Sequence, residues 1–440
     1  MSEDERIESF AEPPALPGRW TVCAMLFVAT TINYMDRQVL SILKPLLSGG
    51  TLHLEPLLPG WPRVEQAIVL TDQQYGYVLA AFQLAYALGV VFAGRLVDRL
   101  GCRRGYPLVT AVWSLSAMGH ALVRSVSGFA VARFFLGLGE SGNFPAAVKA
   151  TAEWFPPRER SLATGIFNSG ASAGAILAPL AVPWVALHFG WRAAFLLTGI
   201  FSAFWILWWS LRYRRPAEAM DWSRGEVIPA PLSSSVSIWH LLGYRQSWAF
   251  IFGKFLTDPV WWFFLFWLPQ YFSSRFQLNL SHMGLPLVTV YLASTVGSVG
   301  GGWLPRVFTS AGLSLRSARL AAMLVCACLV VPVCVAGGIG SLWLAVAFVS
   351  LAAAAHQGWS ANIFTTVSDM FPAECVGTVV SFGQVAGAIG GAIFQPIAGH
   401  ILTLTHSYVL LFAYSGFAYL LALFLLRTLA PGLRRAHLEM

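Results

Sequence analysis

The chain has 440 residues, of which 57% are hydrophobic and only 11% are charged, and its formal net charge is +8. A soluble globular protein normally carries about 25% charged residues, so this composition excludes an ordinary soluble surface. The excess positive charge is arginine scattered over short connecting segments rather than a basic patch, so we expect no nucleic-acid partner.

Long apolar runs recur along most of the chain. A helix needs about 20 apolar residues to cross the roughly 30 Å hydrocarbon core of a bilayer. Breaking the runs at polar, proline and glycine clusters predicts about twelve such segments. They are 20–45, 71–97, 105–124, 127–150, 161–186, 190–212, 247–273, 283–305, 318–338, 341–370, 376–402 and 406–427. The sequence therefore predicts an all-α membrane protein whose solvent is the lipid bilayer.

The N-terminal tail, residues 1–19, is polar and acidic. It lacks a basic region followed directly by a short apolar core, so we expect no cleavable signal peptide. Most loop arginines fall on the side that a cytoplasmic N-terminus would place inside, as the positive-inside rule requires. We therefore expect a multi-pass protein of the inner (plasma) membrane, with the N-terminus and the tail 428–440 both cytoplasmic.

The first segment carries the run Asn33-Tyr34-Met35-Asp36-Arg37 deep inside its span, and the fourth carries Arg133 and Glu140 seven residues apart on one helix face. A charge at the bilayer centre costs at least about 2.5–3.5 kcal/mol, so each needs a partner or a function. The depths predict an Asp36–Arg133 pair that leaves Arg37 as an unpaired cation. The four charges are either a closed structural network, or a proton-coupling site in which burial disfavours the charged carboxylates.

The longest polar stretch, 213–246, is predicted to be a cytoplasmic linker between two six-helix halves, 20–212 and 247–427. A weak internal repeat supports this division, because WFPPRERSLATG from Trp154 is echoed by MFPAECVGTVVS from Met370. Two repeats with a site between them are the architecture of a secondary carrier. The many small residues that follow each motif favour close helix packing, with flexibility as the alternative.

The later segments add three secondary candidates. Lys254 and Asp258 are spaced i, i+4 in the seventh segment, where they are expected to neutralise each other. His356 is either a proton relay or a hydrogen-bonded packing residue.

Polar and aromatic side chains in the segments suggest the kind of ligand. The arginine fork of Arg37 matches a carboxylate, and a tryptophan ring can lie against the apolar face of a sugar, although such rings more often form an interfacial belt. Candidates to bind hydroxyl groups or a sugar face are Asn33, Tyr34, Asn168, Asn362, Gln384, Trp261, Trp262 and Trp359. Together they indicate a small polar, polyhydroxylated acid.

The loop after the second segment resembles the G-x-x-x-D-x-x-G-x-R-R signature of the major facilitator superfamily. Its matching residues are Gly94, Asp98, Gly101, Arg103 and Arg104. In that family the loop is a conformational latch rather than a substrate contact. The runs TTINYMDRQVLS, RFFLGLGESGNFPA, DPVWWFFLFWLPQYF and HQGWSANIFTTVSDMFP look like the anion:cation symporter family, and most like its bacterial hexuronate and galactonate-type sugar-acid carriers.

The resemblance implies a major facilitator fold with about twelve transmembrane helices in two pseudo-symmetric halves. It also implies proton-coupled import of a small anionic sugar acid. The roles it implies are proton coupling for Asp36 and Glu140, carboxylate binding for Arg37, the charge network for Arg133, and substrate contact for Tyr34, Tyr86 and Gln384.

Other function classes remain open. The chain could carry another carboxylate or act as an exporter, or it could be a nutrient sensor without transport, although its short tails and linker offer no output domain. An enzyme is not expected, because no Walker loop, H-E-x-x-H pair or nucleophile elbow occurs. The six cysteines show no metal-ligand spacing, so we expect no metal and no cofactor, and we expect a monomer.

Overall fold

The structure is a computed structural model that describes residues 16–49, 51–53, 64–66, 68–214 and 238–436. Most of the predicted linker, and parts of both predicted tails, lie outside the described residues. Within these ranges the chain forms thirteen α-helices. They are α1 (Arg19–Gly49), α2 (Asp72–Gly119), α3 (Val126–Glu140), α4 (Asn143–Trp154), α5 (Pro157–Phe189), α6 (Trp191–Arg212), α7 (Ile238–Leu242), α8 (Arg245–Phe276), α9 (Gly284–Ser310), α10 (Leu315–Val330), α11 (Leu342–Met370), α12 (Ala373–Thr405) and α13 (Val409–Leu429).

A two-stranded antiparallel sheet, which the sequence did not predict, follows α1. Strand β1 (Thr51–His53) pairs with β2 (Val64–Gln66) in the register Thr51 to Gln66. The other described residues are helical or in short 3₁₀ turns and connections, as an all-α membrane protein requires.

Nine helical stretches in the described ranges are long and apolar enough to cross a membrane by length and composition. Three predicted segments are not among them: 20–45, 105–124 and 127–150. The first corresponds to α1, which contains Asp36, Arg37 and Lys44. The other two correspond to the second part of α2 and to the pair α3 and α4.

Local sequence explains where several helices begin. Thr71 and Gln74 form a capping box at the start of α2, with the Thr71 hydroxyl 3.2 Å from the Gln74 amide nitrogen. Ser125 accepts a hydrogen bond from the Gly128 amide at the start of α3, at 3.1 Å. Each bond satisfies a backbone donor that the first helical turn leaves without an intrahelical partner.

Two breaks divide predicted segments. Gly101 adopts φ 71° and ψ 160°, so α2 turns there between two helical parts, in a region of φ that favours glycine. The predicted segment 127–150 is two helices, because α3 ends at Glu140 and α4 begins at Asn143. Pro145 lacks the amide hydrogen that would continue the helical ladder to Ser141, which accounts for the break.

Glycines let helices approach each other closely, as the small-residue runs predicted. A Cβ atom on Gly174 of α5 would lie 2.8 Å from Cβ of Tyr34 in α1. One on Gly139 of α3 would lie 2.5 Å from the main-chain nitrogen of Trp113 in α2. Distances this short are below van der Waals contact, so only glycine allows these helix pairs to pack as they do.

The internal repeat has a counterpart in backbone geometry. Phe155 (φ −113°, ψ 135°) ends α4 and Pro156 (φ −62°, ψ 154°) precedes α5. Phe371 (φ −123°, ψ 149°) and Pro372 (φ −65°, ψ 154°) occupy the same positions between α11 and α12. The two copies of the motif therefore make the same turn, one in the helices before the linker and one in those after it.

The helices before and after the linker meet where α2 begins and α12 ends. Tyr75 donates its hydroxyl hydrogen to the main-chain oxygen of Phe266 at 2.9 Å. A Cβ atom on Gly76 would overlap the main-chain oxygen of Gln395, and one on Gly399 would overlap that of Asp72. We call this contact, formed by Asp72, Tyr75 and Gly76 of α2 with Phe266, Gln395 and Gly399, the interhalf contact.

Candidate functional site

The centre of the candidate site is a buried ion pair between α1 and α3. Nε of Arg37 donates to Oε2 of Glu140 at 2.8 Å, and their side chains are 4% and 0% exposed. Nη2 of Arg37 also donates to Oδ1 of Asn33, one helical turn away, at 3.4 Å. A buried pair of this kind is costly to break, because removing one charge leaves the other uncompensated.

The predicted Asp36–Arg133 pair is wrong, and so is the prediction that Arg37 is an unpaired cation. Among the residues that the structure describes, no carboxylate–cation pair includes Asp36. Adjacent residues of a helix point about 100° apart, so Asp36 and Arg37 face different neighbours. Arg37 faces α3, whereas Asp36 faces α6, where Oδ2 accepts a hydrogen bond from Ser202 at 3.4 Å.

Four aromatic rings surround the guanidinium of Arg37. Its central carbon lies 4.7 Å from the ring of Tyr34, 5.3 Å from Tyr86, 5.1 Å from Trp262 and 5.5 Å from Phe82. Tyr34 belongs to α1, Tyr86 and Phe82 to α2, and Trp262 to α8. The cation is therefore held between helices from both sides of the linker by cation–π contacts.

Several polar atoms of this cluster are buried without a hydrogen-bond partner in the described part of the chain. They are Oδ1 of Asp36, Oε1 of Glu140, Nε and Nη2 of Arg133, and Nδ2 of Asn33. Nη1 of Arg133 is bonded, because it donates to the main-chain oxygen of Arg37 at 3.1 Å. Buried polar groups are normally satisfied, so the cluster retains capacity to bind a proton or a polar ligand.

The structure thus brings together seven of the predicted residues, namely Asn33, Tyr34, Arg37, Tyr86, Arg133, Glu140 and Trp262. Asn362 has a different environment, because its amide nitrogen donates to the main-chain oxygens of Gly301 at 2.7 Å and Gly358 at 2.8 Å. That contact joins α11 to α9. Asn168 is exposed on α5 and Gln384 is half-buried on α12.

The secondary candidates lie in helices after the linker. Nζ of Lys254 and Oδ1 of Asp258 are 2.7 Å apart, so the pair predicted from their spacing is present. The ring of His356 stacks on Trp261 with centroids 5.1 Å apart, and its Nδ1 is hydrogen-bonded to the hydroxyl group of Tyr419.

The predicted latch is a turn within α2. Gly101 makes the turn, Arg103 and Arg104 are exposed, and a Cβ atom on Gly94 would meet no atom within 4 Å. The side chain of Asp98 lies outside the described residues.

Sequence reasoning missed three buried residues. Nζ of Lys44 contacts Oδ1 of Asp72 at 2.8 Å, and the charge inside an apolar run was the signal that could have found it. Gln83 is buried beside Gly391, and neither of its side-chain polar atoms has a hydrogen-bond partner within the described ranges. Phe82 lies between Arg37 and Arg133, but nothing distinguishes it from other aromatic residues in the sequence.

Comparison with known proteins places the chain among membrane transporters. A family model described as Major Facilitator Superfamily matches residues 26–395. The hexuronate transporter of Escherichia coli (strain K12) is 28% identical over 392 residues, which are 87% of each chain. The galacturonate transporter of Dickeya chrysanthemi is 31% identical over 300 residues, which are 66% of this chain and 82% of the relative.

A solved structure shares the fold. The crystal structure of a D-xylose-proton symporter has a TM-score of 0.70 at 14% identity, and the match covers 92% of this chain and 97% of that one. The predicted all-α membrane fold in two pseudo-symmetric halves is therefore confirmed.

Proposed function

Since this chain belongs to the major facilitator superfamily, we propose that it imports a hexuronate, or a closely related sugar acid, together with protons. It is a multi-pass membrane transporter and not an enzyme. The names of the relatives, a hexuronate and a galacturonate transporter, support the class of substrate. The observation that carries the mechanism is the Arg37–Glu140 pair inside its aromatic surround.

Glu140 and a substrate carboxylate compete for the same guanidinium. Nε of Arg37 donates to Glu140 in this state, so a carboxylate that binds the arginine fork must displace Glu140 or share it. Protonation of Glu140 removes its negative charge and weakens its hold on Arg37. The substrate can then take its place, and uptake of the proton and binding of the anion favour each other.

The charges of the cluster support the same coupling. With both carboxylates ionised, Asp36 and Glu140 balance Arg37 and Arg133, so the cluster is neutral. A monocarboxylate substrate adds one negative charge, and one bound proton restores neutrality. Because net charge is costly inside a bilayer, the substrate-bound carrier changes between its outward-facing and inward-facing states most easily when it also carries a proton.

The surrounding residues keep Arg37 in place when Glu140 releases it. Each cation–π contact is worth about 0.5–2 kcal/mol, and Arg37 makes four. Tyr34 and Tyr86 also bring hydroxyl groups that can bind the hydroxyls of a sugar acid. Arg133, through its bond to the main chain of Arg37, fixes α1 against α3.

Further roles belong to the same proposal. Asp36, with one oxygen bonded to Ser202, is the second carboxylate that can hold the coupled proton. Asn168, Asn362 and Gln384 contact the substrate only in other states of the cycle, and the latch loop 94–104 controls passage between states. With both termini cytoplasmic, the interhalf contact lies on the outer side, and the structure corresponds to an inward-facing state.

The proposal is tested in proteoliposomes with labelled galacturonate. We expect Glu140→Gln to abolish accumulation driven by a pH gradient while keeping counterflow, because the neutral amide mimics a protonated carboxyl group. Arg37→Lys is expected to reduce both accumulation and counterflow, because lysine lacks the two-pronged guanidinium that matches a carboxylate. Glu159→Gln is the matched control, since Glu159 also pairs with an arginine, Arg19, at 2.8 Å but is partly exposed.

Two results would contradict the proposal. One is an absence of sugar-acid counterflow in the wild-type protein. The other is accumulation by Glu140→Gln that follows the pH gradient as strongly as accumulation by Glu159→Gln.

A further inference from the structure

The Lys254–Asp258 pair lies on α8 in line with the aromatic surround of Arg37. Trp262, Asp258 and Lys254 are spaced four residues apart, so each is rotated only about 40° from the next and lies about 6 Å further along the helix. Trp262 contacts the guanidinium of Arg37, with a separation of 5.1 Å. The pair is thus one to two helical turns from the guanidinium of Arg37, on the side away from the interhalf contact.

The pair is also beside α12. A Cβ atom on Gly387 would lie 2.8 Å from Cγ of Asp258, so only glycine at this position lets the carboxylate approach that helix. Gln384 lies one turn earlier on α12, on the same helix face as Gly387. The side chain of Asp258 is 18% exposed, so part of it faces space that the protein does not fill.

We infer that Lys254 and Asp258 form the subsite for the end of the substrate opposite the carboxylate that Arg37 binds. In this subsite Asp258 makes the carrier select sugar acids with one carboxylate over those with two. This inference rests on the proposed function and adds which chemical group the carrier accepts at the substrate end far from Arg37: a hydroxyl group or aldehyde carbon rather than a second carboxylate.

The dimensions fit this assignment. An extended six-carbon chain spans about 6 Å, from five carbon–carbon bonds of about 1.5 Å in zigzag. A sugar acid held at Arg37 therefore reaches the depth of Asp258. The pair offers donors from the ammonium and acceptors from the carboxylate, which suit hydroxyl groups.

The charge of Asp258 supplies the selection. A second carboxylate on the substrate would face Asp258, and like charges brought together at a binding site cost several kcal/mol. Lys254 offsets only part of this cost, because Asp258 already holds its ammonium at 2.7 Å. Removing the negative charge of Asp258 leaves Lys254 free to bind that second carboxylate.

The test compares two six-carbon acids as competitors in galacturonate counterflow: galacturonate, with one carboxylate, and galactarate, with two. The wild-type protein is expected to prefer galacturonate by at least about tenfold. Asp258→Asn should strengthen inhibition by galactarate, relative to inhibition by galacturonate, by about tenfold or more. Lys254→Gln should weaken inhibition by galactarate below that of the wild-type protein. The double variant, Lys254→Gln with Asp258→Asn, should lose the stronger inhibition by galactarate that Asp258→Asn shows alone.

Asp369→Asn is the matched control, because Asp369 of α11 is also 18% exposed and also pairs with a cation, Arg319 of α10. The inference is overturned if Asp258→Asn leaves the competition ratio where Asp369→Asn leaves it. It is also overturned if the wild-type protein accepts both acids equally, a result that needs no variant to fold. Absence of galacturonate counterflow in the wild-type protein would instead refute the proposed function.

Discussion

Replacing Gly76 with alanine should push the two halves apart at the interhalf contact. The added Cβ atom would overlap the main-chain oxygen of Gln395 and lie 3.0 Å from its carbonyl carbon. Both partners are backbone, so no side-chain rotation relieves the overlap. Gly399→Ala makes an independent test from the other helix, because its Cβ atom would overlap the main-chain oxygen of Asp72.

The size of the effect follows from the cost of overpacking. Adding a methyl group to a tightly packed site costs about 1–3 kcal/mol when neighbouring atoms must shift. If that cost falls only on the state with the interhalf contact closed, the population of the open state rises about 5- to 150-fold. Gly302→Ala is the control, because a Cβ atom there would meet no atom within 4 Å.

Labelling of Gln83→Cys by a maleimide in detergent, followed by mass spectrometry, measures this opening. Gln83 is fully buried beside Gly391 of α12, so a reagent reaches position 83 only when the halves separate. In the Gly76→Ala and Gly399→Ala backgrounds, the labelling rate should rise by the same factor as the open-state population, about 5- to 150-fold. Equal labelling rates in these two backgrounds and in Gly302→Ala would show that the interhalf contact does not hold the halves closed.

Two further predictions concern charges away from the central site. Asp72→Asn should lower the free energy of unfolding by about 1–3 kcal/mol, because Lys44 stays buried without its ionic partner. Asp72 is 26% exposed, so the loss is smaller than for a fully buried pair. Thermal unfolding checks this, and Lys44→Met in the same chain should recover part of the loss. Burial and the neighbouring Glu153 raise the pKa of the Cys102 thiol, so it stays protonated near pH 8, and a maleimide should label it far more slowly than free cysteine in the same solution. Faster labelling of Cys102 at that pH would contradict the assignment.

Hydropathy and the motifs predicted the fold class and the family, because both depend on signals that are local in sequence. A run of apolar residues determines a membrane helix whatever its neighbours are. The latch motif likewise depends on Gly101, whose positive φ is a property of one residue. The short β-sheet after α1 has no such local signal and was not predicted.

The membership of the candidate site was largely predicted, but its pairing was not. Intramembrane charges identified Asp36, Arg37, Arg133 and Glu140, since each is costly in lipid. Which carboxylate meets which arginine depends on how α1 is rotated against α3 and α6, and on the break after Glu140. An estimate of depth from helix length contains neither, so it paired Asp36 with Arg133 where the structure pairs Arg37 with Glu140.

Polar residues in the later helices show the same limit. Asn362 has the polar amide expected of a residue that binds substrate, yet this amide joins α11 to α9 by hydrogen bonds. Small residues around Gly301 and Gly358 permit that contact, and only the helix packing reveals it. Lys254 and Asp258, by contrast, interact within one helix, so their spacing alone was sufficient.

We propose that the substrate and the proton are coupled through the Arg37–Glu140 pair. Calorimetric binding of galacturonate in buffers of different ionisation enthalpy measures the protons taken up with the ligand. We expect uptake of about one proton per galacturonate in the wild-type protein and a clearly smaller uptake in Glu140→Gln, by the linkage of ligand and proton binding. Binding to the wild-type protein without proton uptake, or equal uptake in both proteins, would show that Glu140 does not couple the proton to the substrate.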